Sequence, residues 1–164
     1  MKRQRTTCPC HSERPYAACC QPFHEGAARP ERPAELMRSR YAAFALGRAP
    51  YLIETLAAAH PDRQTPEAAH VRELASIKDV RRFMGLRIYG EWVEGDRGEV
   101  LFAAKLFERG QNVGIVELST FERTEGRWRY ASGTLLRLAD ISSADLESLT
   151  RARFLALAEA RAAR

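Results

Sequence analysis

The sequence predicts an α+β fold in which helices pack on a curved antiparallel sheet, behind a small metal-binding segment. Three observations support this prediction. Residues 34–83 carry helix signals, residues 84–133 switch to strand-like alternation, and all four cysteines lie within the first 20 residues. The chain has 164 residues, of which 45% are hydrophobic and 29% are charged, so it can bury a core of single-domain size.

The chain divides into three parts. Residues 1–33 are rich in cysteine, proline and arginine and predict an irregular segment supported by a metal ion. Residues 34–140 form the predicted α+β domain. Residues 141–164 form a predicted C-terminal helix, with Ser142 or Ser143 as its N-cap.

Helix signals dominate the first half of the α+β domain. The predicted helices span residues 34–46, 50–59 and 66–77. Gly47 ends the first helix, and the His60-Pro61 pair breaks the second. Thr65 is the expected N-cap of the third helix.

Strand signals dominate the second half of the domain. The alternating runs are MGLRIYGEWV, EVLFAAKLFE, VGIVELSTFER and RWRYAS, in chain order. The glycine-containing segments EGDRG, RGQN and TEG separate these runs and have the composition of turns. Strands joined by short turns predict an antiparallel meander.

The positive charge is concentrated at the N-terminal end. Residues 1–50 carry nine basic and four acidic side chains, which account for the whole net charge of +5. The rest of the chain is balanced, so it lacks the positive excess of a typical nucleic-acid-binding protein. Tyr89, Trp92, Trp128 and Tyr130 alternate within strands and are interpreted as core and sheet packing. Nucleic acid is therefore a disfavoured partner.

The apolar residues do not form a run long enough to predict a membrane-spanning helix. No run reaches the ~18 consecutive apolar residues that a membrane-spanning helix needs. The basic start MKRQRTTCPC has no apolar region behind it, so we expect no signal peptide and no membrane partner. These features predict a cytoplasmic protein whose cysteines stay reduced.

The cysteines predict a metal site. Cys-x-Cys is followed by eight residues and an adjacent pair, giving the candidate ligands Cys8, Cys10, Cys19 and Cys20. Four thiolates complete a tetrahedral Zn²⁺ site and leave no open position, so the predicted zinc is structural. Adjacent cysteines are stereochemically demanding, which makes Cys20 the least secure ligand. His24 is its expected replacement, and His11 is a further fallback ligand.

The segment CPCHSERPYAACC resembles the SEC-C motif, a zinc knuckle that is also found at the C-terminus of the SecA translocase. Farther along, QPFHEG, AELMRSRYAAF, MGLRI, ELSTFER and GRWRYASG are similar to the bacterial YchJ family. The resemblance covers about residues 8–133. It implies a SEC-C knuckle joined to a domain of the nuclear-transport-factor-2-like (NTF2-like), cystatin-related fold. It also implies docking, because SEC-C knuckles serve as docking surfaces.

The chain departs from the family pattern inside the knuckle. The family usually has glycine at the two positions that His11 and Glu13 occupy here. Loss of both glycines is expected to alter the knuckle turn, and it makes His11 a more credible accessory ligand.

Two charged residues fall on otherwise apolar faces. At about 100° per residue, Arg40 lies within the apolar stripe of the first predicted helix, next to Tyr41. Strand alternation places Glu117 on the same face as Ile115 and Phe121. Because an unpaired buried charge is costly, each of the two charges is expected to have a partner.

Two interpretations of these charges remain open. In the first, Arg40 and Glu117 form a structural ion pair that ties the helix to the sheet. In the second, Glu117, Tyr41 and His60 are the polar lining of a cavity, as in cone-shaped folds that hold ligands or perform acid–base chemistry.

The first function hypothesis is a zinc-binding adaptor that docks a macromolecular partner, expected to be a protein, through its knuckle. The alternative is a small-molecule-binding or enzymatic cavity centred on Glu117. The sequence has no nucleophile–base pair, phosphate-binding loop or paired-carboxylate motif, so no catalytic residue is predicted.

Overall fold

A computed structural model describes residues 6–65 and 67–164. The helices are α1 (Gln21–His24), α2 (Pro33–Leu46), α3 (Ala49–Glu54), α4 (Glu67–Val80), α5 (Ser143–Glu147) and α6 (Arg151–Ala162). The strands are β1 (Arg81–Glu94), β2 (Arg97–Glu108), β3 (Gln111–Asn112), β4 (Ile115–Thr124) and β5 (Arg127–Arg137). Within the described residues, no helix combines the length and the apolar character that crossing a membrane requires.

The strands form one antiparallel sheet, which confirms the predicted meander. The strand order is β1-β2-β4-β5, and the two-residue β3 pairs with β2. Register shifts interrupt β1 between Phe83 and Gly85 and between Ile88 and Gly90, and interrupt the β4–β5 pair at Thr120. Such irregularities bend a strand and increase its twist, so they shape the face that the helices cover.

Both faces of the sheet are covered. Along β2, Val100 and Phe102 pack with α2 and α3 in one core, whereas Leu101 and Ala103 pack with Phe154 of α6 in a second core. This alternation follows from the period of two in a strand. The fold is therefore α+β, with helices on an antiparallel sheet and a C-terminal helical segment.

The helix α2 matches its prediction closely. It begins at Pro33, whose fixed φ suits a first helical turn, and it ends at Gly47. Gly47 adopts φ 70°, the left-handed conformation that ends helices and favours glycine.

The second predicted helix is too long. The helix α3 ends at Glu54, because the next residues pair with β5 instead of continuing the helix. The Tyr130 amide donates to the carbonyl of Thr55, and the Ala57 amide donates to the carbonyl of Tyr130, both at 2.8 Å. The third helix begins at Glu67, and its predicted first residue, Pro66, lies outside the described residues.

The predicted C-terminal helix is two helices. Ser142 caps α5, as expected, by accepting a hydrogen bond from the Asp145 amide at 3.1 Å. The chain then leaves the helical conformation at Ser148, and Thr150 caps α6 through the Arg153 amide at 3.1 Å. The prediction missed this second N-cap, whose side chain competes with a continuous helix for a backbone amide.

Candidate functional site

The four cysteines form one cluster at the N-terminal end of the described chain. Their sulfur atoms all lie within 4.8 Å of one another. The Sγ of Cys10 is 3.6 Å from that of Cys19, which is 3.9 Å from that of Cys20. Cys8, Cys10 and Cys20 are buried, and Cys19 is half-buried. The cluster could hold a metal ion, because four soft ligands converge on one point.

The first cysteine pair lies in a tight turn of backbone. The Cys8 amide donates to the carbonyl of Arg14 at 2.8 Å, which closes the turn from both ends. Inside it, the His11 amide donates to the carbonyl of Cys8 at 3.2 Å. A Cys-x-Cys segment held in this way presents the sulfurs of Cys8 and Cys10 on the same side.

The second pair lies at the junction of two short helical turns. Cys19 follows the 3₁₀ turn Tyr16–Ala18, and Cys20 is the N-cap of α1. The change of direction between the two turns allows adjacent sulfurs to approach the same point. The Ser12 hydroxyl also lies 3.1 Å from the Cys19 sulfur.

Crowding shifts the proton equilibria of these thiols. The proximity of the Cys20 thiol lowers the pKa of Cys10 to about 4, and the proximity of Cys10 together with burial raises the pKa of Cys20. Burial raises the pKa of Cys8 to about 11. A bound cation would favour the thiolate form of all three groups, because it replaces their protons as the positive neighbour.

The two histidines that the sequence offers as replacement ligands, His11 and His24, have other contacts. The ring of His24 accepts from the Tyr16 hydroxyl at Nδ1 (2.8 Å) and donates from Nε2 to the Ser39 carbonyl (2.7 Å). Burial lowers the pKa of His24. This agrees with a neutral ring that accepts a hydrogen bond at one nitrogen and donates one from the other. The ring of His11 packs edge-on against Tyr41, with 5.8 Å between the centroids. The cysteine cluster therefore comes together without either proposed replacement ligand.

The departures from the family glycines have a backbone consequence. His11 adopts φ 59° and Glu13 adopts φ 64°, in the left-handed region that side chains other than glycine rarely enter. Both residues thus adopt a backbone conformation that glycine enters without strain, which costs local strain at two positions.

The cluster packs directly on the helix α2. Ala42 is fully buried against the cysteines, and the Arg38 guanidinium donates to the carbonyl of Cys10 at 3.0 Å. The hydrogen bond from His24 to Ser39 adds a second tie to the same helix. We call residues 6–25 the knuckle. Its inner surface is thus fixed to one side of α2.

The other side of α2 borders a cavity of about 270 Å³ between the helices and the sheet. Its polar lining includes all four residues that the sequence singled out for a cavity or ion pair, namely Arg40, Tyr41, His60 and Glu117. Its apolar lining includes Met37, Phe44, Phe83, Phe102, Ala104 and Leu106. An apolar space with a few converging polar groups has the usual character of a small-molecule site.

The predicted direct ion pair between Arg40 and Glu117 is wrong. Both residues are described, and no nitrogen of Arg40 lies within 4.0 Å of a Glu117 oxygen. The Arg40 guanidinium donates instead to the Leu52 carbonyl at 2.8 Å and to the Thr55 hydroxyl. It also lies over the ring of Tyr130, 4.9 Å from the centroid. Helix periodicity correctly predicts that Arg40 faces the interior. Its hydrogen-bond acceptors, however, lie in and just after α3, not on the sheet.

Glu117 is held by two neutral hydroxyl groups. Its Oε1 accepts from Tyr130 at 2.6 Å and from Ser119 at 2.7 Å. Burial raises the pKa of Glu117, although these two hydrogen bonds and the charge of Arg40 oppose the rise. Tyr130 therefore links the two charges, since it contacts Arg40 through its ring and Glu117 through its hydroxyl.

His60 and Tyr41 also belong to the polar lining, as do Asp62 and Arg81. The Nδ1 of His60 accepts from the Asp62 amide at 3.1 Å, which caps the 3₁₀ turn Pro61–Gln64. Burial lowers the pKa of His60, so its ring is neutral at pH 7 and Nε2 carries the proton. The Tyr41 hydroxyl donates to the Gly85 carbonyl at 3.1 Å, in the bulged part of β1.

Sequence reasoning missed three residues of this site. The sequence pattern interprets Tyr130 as a packing residue, and it assigns no role to Ser119. Gly133 lies opposite Ser119 on β5, where a Cβ would overlap the Glu117 carboxylate and lie 2.8 Å from the Tyr130 hydroxyl. A glycine within a strand was the one available signal, because it marks a close approach of other atoms.

Comparison with protein families finds two matches along the chain. The family "YchJ, middle NTF2-like domain" matches residues 32–133, which is more than half of the chain. The SEC-C motif matches residues 6–22, the part that carries the cysteine cluster.

Two curated relatives match most of the chain. A UPF0225 protein of Deinococcus radiodurans is 44% identical over 124 residues, which cover 75% of this chain and 85% of the relative. The UPF0225 protein YchJ of Shigella dysenteriae serotype 1 is 37% identical over 129 residues, with coverages of 77% and 82%.

Solved structures share the fold. The solution structure of a SEC-C motif-containing protein from Rhodopseudomonas palustris has a TM-score of 0.66 and 31% identity, covering 79% of this chain and 98% of that one. The crystal structure of a SEC-C motif-containing protein from Psychrobacter arcticus has a TM-score of 0.62 over 77% of this chain and 81% of that one. At 24% identity, the second shows a common fold alone. With its SEC-C motif and its YchJ-type NTF2-like domain, the chain belongs to the UPF0225 (YchJ) family.

Proposed function

We propose that this protein binds a small molecule in the cavity beside Glu117, and that its knuckle holds a structural Zn²⁺ that braces the cavity wall. One observation carries the proposal: the knuckle and the cavity lie on opposite sides of the same helix, α2. Tyr41 connects the two sites, because its ring contacts His11 of the knuckle and it also lines the cavity.

The choice of zinc rests on the donor set and its spacing. In a tetrahedral site with Zn–S bonds of ~2.3 Å, the sulfurs lie about 3.8 Å apart. Two of the sulfur separations in the structure, 3.6 Å and 3.9 Å, agree with this value, and all lie within 4.8 Å. We assign the fourth ligand to Cys20 rather than His24, whose ring nitrogens are both hydrogen-bonded. All four cysteines are free thiols, which suits a reducing cytoplasm.

Elemental analysis of the purified chain tests the zinc assignment. We expect about one zinc per chain, with no free position for water or substrate. A protein without zinc whose four thiols all react freely would contradict the assignment.

Filling the cavity tests small-molecule binding. Ala104 is buried and lines the cavity, so Ala104→Phe places a ring in the space that a ligand needs. Native mass spectrometry of gently purified protein should detect a retained small molecule, and the variant should lose it. Ala162→Phe, at the exposed end of α6, is the matched control. Retention by Ala104→Phe would contradict the proposal, and Phe44→Trp provides a milder filling variant.

Docking of a protein partner through the knuckle is the second candidate. It is supported by the outer surface of the knuckle, where Glu13, Arg14 and Ala17 are exposed while the inner surface covers α2. Ala17→Arg should abolish partner capture and leave cavity binding intact, whereas Glu117→Gln should keep partner capture and change which molecules the cavity binds. The same Glu117 variant tests an enzymatic role, since turnover would stop while partner capture continued.

A further inference from the structure

The two buried charges of the cavity each keep polar atoms without a partner. Glu117 accepts both of its hydrogen bonds at Oε1, and Arg40 donates both of its own from Nη1. Across the part of the chain that the structure describes, no hydrogen bond reaches Glu117 Oε2, Arg40 Nε or Arg40 Nη2.

These atoms face open space. Among the described side chains, the Nε2 of His70 is the one nitrogen or oxygen that is both fully shielded and unpartnered. The free atoms of Arg40 and Glu117 therefore retain accessible surface, although the two residues are only 5% and 6% exposed. Because both residues line the cavity, that surface belongs to it. A donor group and an acceptor group thus line the same cavity.

The charges of the cavity are balanced as they stand. Arg40 and an ionised Glu117 carry opposite charges, and Arg81 is paired with a glutamate of β2 at 3.0 Å. The side chain of Asp62 is 56% exposed and reaches solvent. A ligand with a net charge would therefore face one attractive and one repulsive group in a place where charges are poorly solvated.

We propose that the cavity selects a small neutral molecule with an apolar body and a head group that carries a hydrogen-bond acceptor next to a donor, as a carboxamide or lactam does. The inference rests on the proposed small-molecule function. The acceptor of the head group bonds to the free nitrogens of Arg40, and its N–H donates to Glu117 Oε2. No direct ion pair occupies the place of such a bridge, since no Arg40 nitrogen lies within 4.0 Å of a Glu117 oxygen.

The rest of the lining fits an aromatic body. Phe44, Phe83 and Phe102 line the cavity, and Tyr41 packs edge-on against Phe83 with 5.4 Å between centroids. Aromatic side chains prefer offset or edge-on contacts with other rings, so a flat ring would pack well among them. The volume of about 270 Å³ suits a molecule of one or two rings.

Four probes with the same ethylphenyl body test the head-group rule on the full chain. We would measure binding of 4-ethylbenzamide, 4-ethylacetophenone, 4-ethylbenzoate and 4-ethylbenzylamine by calorimetry and ligand-observed NMR. The amide should bind about tenfold more tightly than the ketone, which lacks the donor, and than either ion. Equal or tighter binding of the ketone, the benzoate or the amine would overturn the inference.

Variants identify the residue that makes the distinction. In Glu117→Gln, an amide N–H replaces the acceptor Oε2, so the preference for amide over ketone should fall about tenfold while ketone binding persists. Glu122→Gln, on the same strand and outside the cavity lining, should keep the preference. An unchanged preference in Glu117→Gln would overturn the inference. If that variant fails to fold, the ranking of probes by the wild-type chain decides.

The outcomes separate this inference from the function on which it rests. If all probes bind without preference and Ala104→Phe blocks them, the cavity function stands and the bridging head group is wrong. If no probe binds the wild-type chain, the head-group rule fails, and ligand retention by the wild-type chain against Ala104→Phe decides the cavity function separately.

Discussion

The knuckle and the cavity both gather polar groups out of water, but they are built from different stretches of chain. The four sulfurs of the knuckle come from 13 consecutive residues and from turns within that segment. The polar groups of the cavity come from α2, the segment after α3, β4 and β5. A site made by one short segment can be predicted from neighbouring residues in the sequence. A site made by four elements depends on how those elements pack.

The contrast also concerns what holds each site together. In the knuckle, four sulfurs crowd one another, and a bound metal ion would compensate for their proximity as thiolates. In the cavity, neutral hydroxyl groups of Tyr130 and Ser119 hold the carboxylate, and the sheet holds those hydroxyls. The knuckle should therefore fail when the metal is removed, and the cavity should fail when a tertiary contact is removed.

Loss of one cysteine should have the largest effect. Cys10→Ser removes a fully buried cysteine of the proposed zinc site, and structural zinc sites bind with roughly 10–16 kcal/mol of apparent free energy in isolated peptides. We expect zinc content to fall to near zero and the knuckle to disorder, while the α+β domain keeps its circular dichroism and cooperative unfolding. His24→Gln is the control and should retain zinc. Zinc loss in His24→Gln with retention in Cys10→Ser would reverse the ligand assignment.

The tyrosine link should show a smaller but clear coupling. A double-mutant cycle of Tyr130→Phe with Glu117→Leu should give about 1.5–3 kcal/mol, the range for a hydrogen bond to a charged group. The cycle of Arg40→Met with Glu117→Leu should give less, because these side chains do not touch. Urea melts measure both cycles. Stronger coupling of Arg40 than of Tyr130 to Glu117 would restore the direct ion pair.

The free energy of unfolding should depend on pH through the ionisation of Glu117. Burial raises its pKa in the folded chain above the ordinary value of 4.5, so folding is favoured most when the group is protonated. That favourable contribution is present below the unfolded pKa and is lost as the pH rises through the folded pKa. Glu117→Gln should thus raise the free energy of unfolding at pH 7, and the gain should shrink toward pH 4.5. Urea melts of the Glu122→Gln control should show no such trend, and a loss that grows with pH would contradict the raised pKa.

Relief of strain in the knuckle should have the smallest effect. His11→Gly restores a residue that tolerates φ 59°, which gains up to about 1 kcal/mol and is partly offset by the extra freedom of glycine when unfolded. Chelator competition should show zinc binding a few-fold more tightly. Ser12→Gly, which replaces a residue outside the left-handed region, should weaken binding. Weaker binding in His11→Gly would mean that its ring contact with Tyr41 matters more than the strain.

The sequence predicted local features well and tertiary contacts incompletely. The cysteine spacing, the helix between Pro33 and Gly47 and the alternation of the strands each depend on neighbouring residues, and the structure agrees with them. The placement of Arg40 and Glu117 inside the fold was also predictable, because periodicity reports which face a residue occupies.

The partners of those charges were not predictable, because they depend on where the elements end. The helix α3 stops at Glu54, and that early end brings the Thr55 hydroxyl to Arg40 and allows the segment to pair with β5. Tyr130 then occupies the gap that a direct ion pair would have closed. Periodicity predicts which face of a helix or strand a residue occupies, but it does not predict which residue of another element contacts it.

Hydrogen exchange along α2, before and after zinc removal, tests most directly whether the knuckle braces the cavity. If it does, chelation should raise exchange in residues 6–25 and also in the part of α2 around Ser39 and Ala42, while the strands β2 and β4 keep their protection. Exchange that rises in residues 6–25 alone, with α2 unchanged, would show that the knuckle folds beside the domain without supporting it.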